Sequence, residues 1–136
     1  MKTTFSMKKE ELEKFKELYP LFDKEVRRVA DILSNVKEYQ EHDGSNPAFA
    51  DKFVLEGDEV YWEGDEYWNY GGHEEHSGWF PIDYLSKTDE ELRVIVDDMN
   101  AKYEEEKKKR KEAKEAILRE QRKAEYEKLK KEFGNG

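Results

Sequence analysis

The chain has 136 residues, of which 43% are charged and 35% hydrophobic, and its net charge is −9. That length fits one domain with appendages, and the charge content makes much of the chain solvated surface rather than interior. The absence of cysteine excludes disulfides, thiolate zinc sites and cysteine nucleophiles, and no apolar run reaches the roughly 20 residues of a membrane helix. The polar N-terminus lacks a signal-peptide core, so no membrane partner and a cytoplasmic location are expected.

The charge is unevenly spread. Residues 1–40 carry 9 basic and 8 acidic side chains, residues 41–91 carry 2 and 15, and residues 92–136 carry 14 and 11. The acidity is therefore concentrated in the middle. A strip of that sign opposes direct nucleic-acid binding and attracts cationic protein surfaces, or serves only to keep an aromatic-rich segment soluble.

In chain order, Ser6 is a candidate N-cap, followed by Leu12, Phe15 and Leu18 along one helical stripe. Pro20 predicts a break, because it lacks an amide proton and disfavours helical geometry in Tyr19. A second helix then carries Phe22, Val26, Val29, Leu33, Val36 and Gln40 at alternating spacings of four and three, and ends near His42 before the turn-forming run Asp43–Pro47.

From Phe53 to Leu85 the period changes. Val54, Glu56, Val60, Tyr61 and Trp62 surround Gly57-Asp58, and Gly64-Asp65 precedes the run Tyr67 to Tyr70. Short antiparallel strands with tight turns fit this pattern. Asp58-Glu59 and Asp65-Glu66 are acid pairs that a glycosidase or a magnesium-dependent nuclease could use, but turn chemistry accounts for them as predicted hairpin turns. His73 and His76, in HEEH, could supply two imidazoles to a metal, yet they are three apart in a glycine-flanked segment rather than four apart on a helix. No phosphate loop, nucleophile elbow or dinucleotide fingerprint occurs, so neither catalysis nor a cofactor or metal is expected.

The aromatics of this stretch exceed what one face of a small sheet can bury, since alternate side chains point outward. The expected partner-binding residues are Tyr61, Trp62, Tyr67, Trp68, Tyr70 and Trp79, with the acids Glu59, Glu63, Asp65 and Glu66 around them. Arg or Lys on a partner would meet them by stacking, cation–π contact and charge pairing.

Residues 53–85 also resemble the second half of a Src-homology-three domain. The likeness rests on Gly57 and Asp58, on Tyr67 and Trp68 in place of a tryptophan pair, and on the closing SGWFPIDYL with Gly78, Trp79, Phe80, Pro81, Tyr84 and Leu85. The resemblance implies a groove for proline-rich peptides lined by Tyr67, Pro81 and Tyr84. The tyrosine at 67 and Asp83, where that family has asparagine, depart from its pattern.

Thr88 and Glu91 form a capping box that starts a helix from about Asp89 to Phe133. Leu92, Ile95, Val96, Met99 and Tyr103 make its first turns amphipathic. Glu104–Lys108, Glu105–Lys109 and Glu106–Arg110 follow as i,i+4 pairs, and Ile117, Leu118, Tyr126, Leu129 and Phe133 restore apolar surface.

The expected class is α+β. An N-terminal helical hairpin spans 1–46, an antiparallel sheet of three or four strands 47–87, and a long charged helix 88–134, projecting from one compact domain. The function expected is non-catalytic protein binding. In type the chain resembles small acidic phage-encoded inhibitors, some of which imitate DNA charge, and this implies a nucleic-acid-binding enzyme with a basic surface as partner. The alternatives are a homodimeric scaffold joined through the last helix and a metal-dependent hydrolase.

Overall fold

The computed structural model describes residues 6–134. The class is α+β: an N-terminal helix, a three-stranded antiparallel sheet and a long C-terminal helix. One compact unit ends at Asp98, and a second begins at Met99.

Helix α1 runs Lys9–Leu33, straight through Pro20. This corrects the break expected at Pro20. Proline removes the bond to the Lys16 carbonyl, but residues 6–21 are all exposed, so water can satisfy that oxygen. Nor does Ser6 cap the helix: Lys8 occupies the N-cap position without a side-chain bond. The interruption falls at Ser34–Val36 instead. The Ser34 hydroxyl donates to the Asp31 carbonyl, and the Asn35 side-chain amide donates to that of Ile32 at 3.1 Å. Both side chains compete with the helical ladder for its own acceptors. The Val36 amide then turns to the Leu33 carbonyl at 3.0 Å, and a single-turn helix, α2, covers Lys37–Glu41. Val36 remains fully buried although it lies outside α1.

Strands β1 (Lys52–Glu56), β2 (Glu59–Tyr67) and β3 (His73–Pro81) form a meander in the order β1-β2-β3. Gly57, at φ 58°, makes the first turn. Gly64-Asp65 is not a turn, contrary to expectation, but lies inside β2. A Cβ on Gly64 would stand 1.7 Å from the Phe49 carbonyl oxygen, so glycine serves there for close approach of the Pro47–Phe49 3-10 turn. HEEH likewise belongs to β3 rather than to a turn.

The core of the first unit lies on one face of the sheet. Val26, Val29, Ala30, Ile32 and Leu33 of α1 are buried, as are Val36, Val60, Trp62 and Phe80. Leu92 and Val96 of α3 (Asp89–Gly134) complete this set. Trp62 lies against Gly78, its direct neighbour on β3, where a Cβ would come within 2.7 Å of the indole.

Two devices fix the start of α3. The Thr88 amide donates to Glu91 Oε1 at 3.1 Å and the Glu91 amide to Thr88 Oγ1 at 3.2 Å, as the capping box requires. These bonds to Thr88 hold the Glu91 carboxyl below the usual glutamate range. Arg28 of α1 is the second device. Its guanidinium donates to Glu25 at 2.6 Å, to Asp89 at 2.7 Å and to the Lys87 carbonyl at 3.0 Å, tying α1 to the first turn of α3. Burial opposes its charge, and the hydrogen bonds to Asp89 and Glu25 outweigh that and raise its pKa.

In the second unit, Glu105–Lys109 at 3.4 Å and Glu106–Arg110 at 3.7 Å realise the i,i+4 pattern on α3. No helix among the described residues is long and apolar enough to cross a membrane.

Arg28→Ala removes the partner of two acids, one of them half exposed, and of a carbonyl, so it should lower stability by about 1–2 kcal/mol. Arg28→Lys should recover only part, because an ammonium cannot reproduce the fork of donors. The shift of the urea midpoint measures both.

Candidate functional site

The register of β2 and β3 sorts the expected site residues by face. Paired residues share a face, and the pairs run from Glu59↔Pro81 through Tyr61↔Trp79, Glu63↔Ser77 and Asp65↔Glu75 to Tyr67↔His73. These ten form the outer row. The alternate pairs Val60↔Phe80, Trp62↔Gly78, Gly64↔His76 and Glu66↔Glu74 form the inner row.

Trp62 therefore does not belong to an exposed surface, and its expected partner-binding role is corrected: it is 2% exposed and is core. The neighbouring tryptophan and tyrosine of a strand must face opposite ways, and Tyr61 takes the outside. There Tyr61 packs against Trp79 at 4.9 Å between ring centroids, with Trp79 49% exposed. The Tyr61 hydroxyl donates to Glu63 at 3.2 Å, and Lys52 pairs with Glu63 at 3.4 Å. Lys52, Tyr61, Glu63, Asp65, Glu75 and Ser77 line a shallow groove of about 240 Å³.

At the far end of the hairpin three further aromatics meet water. Tyr67, Trp68 and Tyr70 are exposed, Tyr70 completely. Tyr67 stacks on His73 at 5.8 Å. The connecting loop closes by the Trp68 amide donating to the Gly72 carbonyl at 3.1 Å, with Tyr70 at φ 76° and Gly71 at φ 77°. A tyrosine in the left-handed region costs about 1 kcal/mol or more and here gains no burial in return.

Tyr67, Pro81 and Tyr84 are not brought together. Tyr67 pairs with His73 at one end of the hairpin, whereas Pro81 pairs with Glu59 at the other. Tyr84 lies in the 3-10 turn Ile82–Ser86 beyond β3, half-buried and stacked on the core residue Phe80 at 6.3 Å.

His73 and His76 fall on opposite faces, so they cannot share an ion. His73 lies with Asp65 and Glu75 outside, and His76 with Glu66 and Glu74 inside. The inner trio is the more built of the two. His76 is 4% exposed, its ring stacks on Phe49 at 4.7 Å, and its Nε2 stands 3.9 Å from Glu66 and 4.0 Å from Glu74 without a hydrogen-bond partner. The other nitrogen decides the chemistry. Nδ1 accepts the Asn46 backbone amide at 3.0 Å, and that amide can only donate. The neutral ring's proton is therefore on Nε2, which faces the carboxylates as a donor and offers no lone pair to a metal. A histidine ligand normally donates through its other nitrogen, the reverse of what Asn46 imposes. His76 instead serves to hold the loop before β1 against the sheet, together with Ser77, whose amide donates to the Gly44 carbonyl at 2.9 Å. This contact is not legible in the residue types, because Asn46 contributes its backbone.

The hairpin from Glu59 to Pro81 holds six acids and no lysine or arginine. Asp65 faces Glu75 across the strands, and Glu66 faces Glu74. Like charges directly opposite destabilise a sheet, so both faces of the hairpin give up stability near its tip.

Zinc added to a His73→Ala chain, which lacks the outer imidazole, should leave the melting temperature within about a degree, because His76 would have to break its bond to Asn46 before it could ligate; a large rise would refute the tautomer. Asp65→Lys, which turns a repulsive cross-strand pair into an attractive one, should raise stability by about 0.5–1 kcal/mol in urea titrations. Comparison with protein-family models, with curated proteins and with solved structures finds no match to this chain.

Proposed function

We propose that this chain is a non-catalytic protein-binding module that engages a cationic protein surface through the outer face and tip of the β2–β3 hairpin. One observation carries the reading. The hairpin presents exposed aromatics, Trp79 on its face and Tyr67, Trp68 and Tyr70 at its tip, among six acids with no lysine or arginine in the same span.

Such a surface suits arginine more than any other side chain. The groove beside Tyr61 offers the carboxylates of Asp65 and Glu75 to a guanidinium, Glu63 being paired with Lys52, and the Tyr61–Trp79 pair offers ring faces for stacking. The cross-strand repulsion of Asp65 and Glu75 would be relieved on binding, so part of the affinity would come from strain present in the free chain. Phosphate-bearing ligands are repelled by the same acids. Proteins that bind nucleic acids expose the basic surfaces this hairpin complements, and blocking such a surface is the mode of action we assign to the chain, as an inhibitor.

A pull-down from the native host, comparing the intact chain with the Asp65→Lys/Glu75→Lys double variant, tests the reading. The intact chain should retain a basic protein, and retention should weaken as salt rises from about 50 to about 300 mM. The double variant should keep its melting temperature, since one like-charged cross-strand pair replaces another, and lose at least tenfold in affinity. Equal capture by both chains would remove the hairpin as the contact surface.

A further inference from the structure

We propose that Asp65, His73 and Glu75, on the outer face of the β2–β3 hairpin, form a binding site for one divalent cation of the zinc class. The site shares two carboxylates with the arginine seat proposed above, so the two ligands exclude each other. Its test involves no partner and stands or falls without that reading.

The register builds the cluster. Asp65 lies directly opposite Glu75, and His73 lies two residues before Glu75 on the same strand, where the two-residue period returns it to the same face. One ligand atom from each side chain stands within 4.8 Å of the other two. Around a four-coordinate zinc, with bonds of about 2.1 Å, such atoms stand about 3.4 Å apart. All three side chains are exposed, so rotation about their own bonds can close that difference without moving the strands. Three protein ligands then leave the fourth position to water. The spacing of HEEH does not reveal the cluster, because Asp65 comes from the neighbouring strand.

The imidazole separates this trio from an ordinary acidic surface. His73 stacks on Tyr67 with their planes 25° apart, which orients the ring before any ion arrives. Among the described residues neither its nitrogens nor the carboxylates of Asp65 and Glu75 have a hydrogen bond or an ion pair, and Lys52 of the adjoining groove is paired with Glu63 instead. Both ring nitrogens are therefore free to ligate, unlike those of His76, and two facing carboxylates lack the counter-charge that a cation supplies. The backbone beneath is held as well. The Ser77 amide donates to the Gly44 carbonyl at 2.9 Å, and Gly44 packs so closely on the Glu75 carbonyl that a Cβ there would stand 3.1 Å away. An imidazole with two carboxylates suits zinc, whereas magnesium and calcium favour six or more oxygens.

Calorimetric titration of the full chain, free of added histidines, with zinc alone should give one ion per chain. Zinc at about a hundredfold above the measured Kd should raise the melting temperature by about 5 °C or more. His73→Ala should keep its helical content, weaken zinc binding by about tenfold or more and cancel the rise, while His42→Ala should bind as the intact chain does. Of the three imidazoles, zinc should shift the NMR signals of His73 alone. Absence of binding, equal binding by His73→Ala, a loss on His42→Ala in its place, or displacement of zinc by equimolar magnesium, which would mark an acidic surface only, would each overturn the proposal.

Discussion

The two-residue period of β2 and β3 gives the hairpin two faces along nine paired positions, while the apolar residues of the first unit suffice to cover part of one. The covered part is the end near Val60, Trp62 and Phe80. Gly78 admits the Trp62 indole and Gly64 admits the Phe49 carbonyl, so two glycines set how closely the cover approaches. At Gly64 the inner row turns polar: His76, its partner, is still buried against Phe49, and past it Glu66 and Glu74 mark the end of the core. No residue of the outer row is buried. Its tyrosines, its tryptophan and its carboxylates are consequences of one sheet face left to solvent, and the tip is exposed on both.

Much of this was legible in the residues, and what was not has physical reasons. The capping box at Thr88 and Glu91 was readable because its partners lie within one turn, and a local hydrogen bond depends on nothing distant. The change of period near Phe53 marked the sheet for the same reason. Pro20 misled because a helix tolerates proline wherever water can take the freed carbonyl, and exposure is a tertiary property. Gly64-Asp65 carried the composition of a turn, yet its glycine answers to Phe49, fifteen residues earlier. Trp62 could not be assigned to a face until the register was known, since a shift of one residue would have exchanged it with Tyr61.

The first unit separates its surplus surfaces by character. Acid and aromatic side chains gather on the hairpin, which holds no lysine or arginine, while aliphatic and aromatic side chains gather on the first turns of α1 between balanced charges. An acidic face disfavours a second copy of itself and favours a basic partner. A neutral apolar seam does the opposite, for it gains from any surface of matching shape and loses nothing by meeting its own.

The same separation bears on how α1 holds its shape. Residues 9–20 make little more than three turns, are exposed throughout, and have at their base the proline that removes one ladder bond. An isolated helix of that length is marginal in water, since nucleation is costly and short helices gain most of their stability from packing. Continuity with the buried half of α1 supplies the nucleus, but it supplies no cover for Leu12, Phe15 and Tyr19. A helical partner laid along that stripe would add the packing that propensity alone leaves short.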